Sequence, residues 1–153
     1  GAEIPVEWVD SPDPDPAEAE TSSSAVFQQG WARGGAAFAR LEGCWYGEGN
    51  VYFNSTNGGA AGAGQVWCYR PGGGPGGTLT LLFESPSREV LDSPDNLCVS
   101  PRGGLVLCED SGGEQFLRGL TPDGRIFDFI RTAERGVILR RPTRRHEELV
   151  ADE

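Results

Sequence analysis

Arg40 and Glu42 flank Leu41 in the run Phe38-Ala39-Arg40-Leu41-Glu42-Gly43. The run reads as a strand, and its period of two sends Arg40 and Glu42 to one face and Ala39 and Leu41 to the other. A guanidinium fork takes an anion in two hydrogen bonds, and a carboxylate ligates a hard cation such as calcium. The same pair also suits a plain ion pair on a wet surface. In Ser93-Pro94-Asp95-Asn96, a carboxylate and an amide stand at the entrance of an apolar strand, either as turn formers or as oxygen ligands. Glu109-Asp110-Ser111-Gly112-Gly113 sets two acids side by side, and only one of them can face a shared site. Glu109 is the choice as a metal ligand, against an exposed hairpin corner.

Residue types exclude much other chemistry. All 13 basic residues are Arg, so the phosphate loop that ends in Gly-Lys is absent. There is no G-x-S-x-G, and the single His, His146, lies in a charged tail, which leaves no evident Ser-His-Asp unit. Cys44, Cys68, Cys98 and Cys108 form no C-x-x-C pair, which argues against structural zinc. Their even number allows two disulfides, but they lie in or beside apolar runs and read as buried free thiols. Metal-dependent chemistry remains, or none.

The formal charge is −10, and up to Ile130 there are 18 acids against 7 Arg. Such a body repels phosphate backbones and argues against a nucleic-acid partner. No apolar run reaches the roughly 18 residues of a membrane span, and the acidic N-terminus is not a secretory signal. A sequence of 153 residues without Met suggests one domain of a processed protein or a fragment.

The elements that must position these residues are mostly strands. Ile4 to Val9 predicts an edge strand, followed by a Pro/Asp-rich connector to residue 20. Thr21 or one of Ser22 to Ser24 can cap one short helix near 25–33. From Phe38 the apolar period becomes two, with runs at 38–46, 50–55, 64–69, 79–84, 97–100, 105–109, 115–120 and 125–129. The Gly-rich stretches 57–63 and 71–77 read as flexible loops. Ser100-Pro101-Arg102-Gly103 and Thr121-Pro122-Asp123-Gly124 repeat as hairpin corners. The expectation is an all-β chain holding a partial β-propeller of about two four-stranded antiparallel blades, spanning 21–130. Residues 131–153 read as an atypical charged tail: a strand at 136–139, a capped helix from Thr143 to Asp152, and a solvated basic run at Arg140, Arg141, Arg144 and Arg145.

Several motifs in order resemble the PhoX-type alkaline phosphatases, exported bacterial phosphomonoesterases with a propeller fold. They are Pro5-Val6-Glu7-Trp8-Val9-Asp10, Phe38 to Gly43, Val51-Tyr52-Phe53 with Thr56 and Gly58-Gly59, and Gly64-Gln65-Val66-Trp67. Pro94-Asp95-Asn96, Ser100 to Gly104, Cys108-Glu109-Asp110 and Gly119 to Gly124 complete the set. The resemblance implies calcium and iron at the propeller axis and hydrolysis of phosphate monoesters. It implies that Arg40 grips the phosphoryl oxygens, that Glu42 and Asp95 ligate metal, and that Asn96 stands beside them. It further implies a periplasmic or secreted location and blades missing from this chain, with iron held by a Cys that none of the four here matches. The tail departs from the family pattern, which suggests a truncated or frame-shifted end. Two other readings stay open: a calcium-dependent propeller hydrolase of lactonase type, and a non-catalytic propeller-derived structural or interaction module.

Overall fold

The computed structural model describes residues 1–133 and 136–139, the last four and Ala133 by backbone alone. The expected tail helix, His146 and the basic run from Arg140 lie outside the described residues.

The chain is mostly β, in two antiparallel sheets. β1 (Glu3–Glu7) leads through a 3₁₀ turn (Ala17–Glu20) to α1 (Ala25–Ala32). Ser24 stands at the N-cap of α1, but no side-chain capping bond forms. The first sheet adds β2 (Leu41–Gly47), β3 (Asn50–Ser55), β4 (Gln65–Pro71) and β5 (Gly76–Glu84), in the order β1-β5-β4-β3-β2. The second holds β6 (Pro94–Val99), β7 (Leu105–Glu109), β8 (Phe116–Leu120), β9 (Ile126–Ala133) and β10 (Gly136–Leu139), in sequence order. Each sheet is thus four consecutive strands widened by a fifth, β1 or β10, at its far edge. Among the described residues the strands close no barrel. Strand β9 runs past residue 130, so the sheet continues into what the sequence marks as tail.

The strand pattern follows from alternation and turn chemistry. Gly103 and Gly124 adopt φ of 84° and 85°, and their N–H groups donate to Ser100 and Thr121 carbonyls at 3.0 and 2.9 Å, closing the two expected corners. The core lies between the sheets: Val66 from β4, Leu97, Leu105, Leu107 and Leu120 from the second sheet, and Leu91 from the connector. Full burial of each such Leu is worth about 1.5–3 kcal/mol. Strands β2 and β6, each at one edge of its sheet, lie against each other along the seam.

Two expectations are corrected. Residues 57–63 are not a flexible loop: Ala63 is buried and its carbonyl accepts from the Ser93 N–H at 3.0 Å, while the next residue, Gly64, accepts from the Ser85 N–H at 2.9 Å. The Glu84 carboxylate clamps the far side, accepting from the Ala60 N–H at 3.1 Å and from Gln65 at 2.7 Å. Glycine here meets the positive φ of Gly59, Gly62 and Gly64 rather than supplying mobility. The four cysteines are free as expected but not buried: Cys44 is exposed and the other three are half-buried. Cys44 belongs to β2, most of whose residues are exposed.

Candidate functional site at the seam of the two sheets

Strand β2 begins at Leu41, not Phe38, because Arg40 takes φ +48° and breaks the extended run. Left-handed backbone costs a residue bearing a Cβ about 1–2 kcal/mol. The neighbours hold it there: the Thr56 N–H donates to the Arg40 carbonyl at 2.9 Å and Ser55 Oγ to the Ala39 carbonyl at 2.6 Å. Ser93, the residue before β6, repeats the device with φ +53°. Among the described residues only Glu48 joins them as a left-handed non-glycine, in the β2–β3 turn. Two strained residues therefore open the two strands that meet at the seam, a placement typical of functional sites.

Arg40 still pairs with Glu42, Nη2 to Oε1 at 3.0 Å, with side-chain exposures of 60% and 37%. The pair lies open to solvent, where as a salt bridge it contributes little to stability.

Each strand carries a bulge at the point of contact. In β2, Leu41 faces Ser55 and Cys44 faces Phe53, so Glu42 and Gly43 together oppose Asn54. In β6, Pro94 faces Glu109 and Asn96 faces Cys108, which leaves Asp95 as the extra residue. A Cβ on Gly43 would stand 2.5 Å from Asn96 Cα and 2.9 Å from the Asp95 carbonyl oxygen. The two bulges thus abut, and the segments bearing Glu42 and Asp95 come together. Thr56 Oγ1 locks the arrangement by donating to the Pro94 carbonyl at 3.0 Å, and Gly64 has no room for a Cβ against the Pro94 ring. The Asn96 Oδ1 accepts from the Leu97 N–H at 2.8 Å, a bond within its own strand.

Behind the β2 bulge lies a residue the sequence reading passed over. Asn54 is fully buried, and neither Oδ1 nor Nδ2 has a hydrogen-bond partner. Its neighbours Ser55 and Thr56 are buried too, but each is satisfied through the bonds already described. The signal available was an amide directly after the apolar run Val51-Tyr52-Phe53.

A family model described as alkaline phosphatase PhoX matches residues 2–153. The chain belongs to the PhoX alkaline phosphatase family. The match runs through the charged tail as well as both sheets. No curated protein and no solved structure gave a match.

Glu109, the third acid singled out as a metal ligand, lies opposite Pro94 in the β6–β7 ladder, with its carboxylate already engaged. Glu109 is buried, with Oε1 accepting from Arg118 Nε at 2.8 Å and from the Asp92 N–H at 3.0 Å, and Oε2 from the Phe116 N–H at 2.9 Å. Arg118 also pairs with Asp128 and lies 3.9 Å from the Phe116 ring centre. Sequence gave no sign of Arg118, because its partners come from three separate segments. Two open clefts, one of about 300 Å³ at Tyr52, Cys68 and Val99 and one of about 450 Å³ at Phe38 and Trp67, are lined by neither Arg40, Glu42 nor Asp95.

PhoX membership suggests a metal-dependent enzyme. Among the described residues no three His, Cys, Asp or Glu are grouped to hold a metal ion. The seam brings the backbone segments of the oxygen-bearing residues Glu42 and Asp95 together. These suit a hard cation such as calcium. Burial first, then Cys98 and Asp95, push the Cys108 thiol up.

Proposed function

We propose that this PhoX-family chain carries one side of a phosphate-monoester hydrolysis site, with Arg40 taking the phosphoryl oxygens and Glu42 and Asp95 holding calcium. The observation that supports this reading is the meeting of the two bulged strands, which sets the backbone of Gly43, next to Glu42, against that of Asp95 and Asn96 although the motifs are far apart in sequence. When bound, the cation would supply a Lewis acid that withdraws charge from the phosphoryl group.

The residues of this chain do the rest. Arg40 is free to turn from Glu42 to an incoming phosphate, because an exposed pair holds it weakly. Its guanidinium offers two parallel donors to two phosphoryl oxygens and balances the charge that grows on them. The left-handed backbone and the Thr56 and Ser55 bonds fix where the side chain departs. Glu109 is assigned to the fold rather than to the metal, since its carboxylate is engaged by three donors. The two sheets would serve as adjacent blades of a larger propeller whose further blades supply the remaining ligands, iron included.

The test is hydrolysis of a chromogenic phosphate monoester with calcium present. Arg40→Ala is expected to lower the rate about 10²- to 10³-fold, the usual loss of one transition-state donor, and Arg40→Lys to recover only part. Unchanged hydrolysis in both variants contradicts the assignment. A second reading, a blade module without catalysis, draws on the lack of a three-ligand group among the described residues; it requires Glu42→Ala to leave every function intact.

A further inference from the structure

Helix α1 is held by its polar side. The Gln29 amide clasps the connector, its Nε2 donating to the Asp13 carbonyl at 2.7 Å and its Oε1 accepting from the Asp13 N–H at 3.0 Å. Arg33, just past the last turn, donates to the Asp10 carbonyl at 3.2 Å. At about 100° per residue, Val26, Phe27, Gly30 and Trp31 share one arc of about 140°, and Gln29 stands outside it. An amphipathic surface helix normally turns such an arc to the core. Here it is turned away: no residue of α1 is buried, and Phe27 and Trp31 are 48% and 56% exposed. Their rings stack on each other, centroids 6.0 Å apart at 18°, and a Cβ on Gly30 would meet nothing within 4 Å. The result is a firm aromatic step with a notch beside it. Val9, which lies against Gly35 just beyond the helix, is exposed as well.

Apolar surface of this kind marks a binding face, and the charge around it selects what binds. Of the seven acids in residues 1–39, Glu3 alone has an ion-pair partner among the described residues, and Arg33 is the one cation of that stretch. Glu18 and Glu20 belong to the 3₁₀ turn beside α1, and Asp10 and Asp13 to the connector that clasps it. Such a rim repels an anionic lipid surface, and it equally repels the same face of a second copy.

We infer that α1 and its acidic connector form a docking face for a basic amphipathic segment of another protein. The partner's apolar side chains cover Phe27 and Trp31, with the Gly30 notch taking one of them, while its Lys or Arg side chains meet Asp10, Asp13, Glu18 and Glu20.

Calorimetric titration with a synthetic amphipathic peptide of Leu and Lys tests this, beside a peptide of the same pattern with Glu in place of Lys. The Leu/Lys peptide is expected to bind the unaltered protein saturably, and Phe27→Ala or Trp31→Ala to weaken it at least about tenfold. Glu18→Gln combined with Glu20→Gln should weaken it too, and more at low salt than at high. Trp45→Ala, which removes an exposed ring on β2, should bind as the unaltered protein does. Because the α1 rings are exposed, their removal should leave the urea midpoint unchanged, so lost binding is not lost folding. Equal binding by Phe27→Ala, Trp31→Ala and the unaltered protein would mean attraction to net charge alone and would overturn the face, as would no binding of the Leu/Lys peptide. Equally tight binding of the Leu/Glu peptide, or of phosphatidylglycerol vesicles, would overturn the basic partner. Self-association in sedimentation that Trp31→Ala abolishes would assign the face to a second copy instead.

Discussion

Gly43 approaches Asn96 so closely that a methyl group on it would come within 2.5 Å of the Asn96 α-carbon. This contact is between backbones, so no rotamer change can relieve it, and it fixes how near β2 stands to β6. Gly43→Ala is expected to cost about 1–3 kcal/mol by forcing the strands apart. Urea denaturation measures the loss, and calcium affinity should fall with it. A variant of unchanged stability and affinity would show that the seam has slack.

Arg40 offers a sharper separation of stability from function. Its φ of +48° is one that Gly adopts freely, and its exposed pair with Glu42 adds little. Arg40→Gly should therefore raise stability by about 1 kcal/mol, the strain released, while phosphate-ester hydrolysis falls. Denaturation and initial-rate measurements on one preparation check both halves. A destabilised variant would mean that the side chain holds the fold.

Much of this architecture is legible in the sequence because it is local. Each of β2 to β9 overlaps an apolar alternating run, and the Ser100 and Thr121 corners follow from Pro and Gly at fixed offsets. The approach of Arg40–Glu42 to Asp95 was not readable, since it depends on two bulges, and a bulge leaves no period in the residue pattern. Asn54 was hidden for a similar reason: an amide at the polar end of an apolar run becomes unusual only when its partners are seen to be missing. Glycine content misled at 57–63, where positive φ and, at the next residue, close packing against Pro94 call for glycine in an ordered loop.

Glu109 and Arg118 make the clearest structural contrast to the seam. Their Nε–Oε1 bond of 2.8 Å is buried, so removing one partner strands a charge. Arg118→Ala should cost about 3–5 kcal/mol in denaturant unfolding. Glu109→Gln should also destabilise, yet leave the calcium affinity of the folded protein as it was. A lost calcium isotherm in Glu109→Gln would return Glu109 to the metal site.

Glu84 links the ordered glycine loop to pH. Hydrogen bonds from Gln65 first and the Ala60 N–H next hold its carboxyl below the usual range. A carboxyl whose folded value is depressed contributes stability above its unfolded value and loses it as pH falls through the folded one. The stability advantage of the unaltered protein over Glu84→Gln should be present at neutral pH and vanish in acid. Unfolding midpoints measured between neutral pH and about pH 3 check this, as that span covers the carboxylate range. An advantage that persists unchanged in acid would mean that the ionised form is not what holds the loop.

Calorimetric calcium titration of the protein beside Glu42→Ala and Asp95→Ala bears most directly on the seam as a metal and phosphate site. Saturable binding is expected in the unaltered protein, weakened at least about tenfold by either substitution, a loss of roughly 1.4 kcal/mol. Equal binding in all three proteins, or none in any, would contradict it.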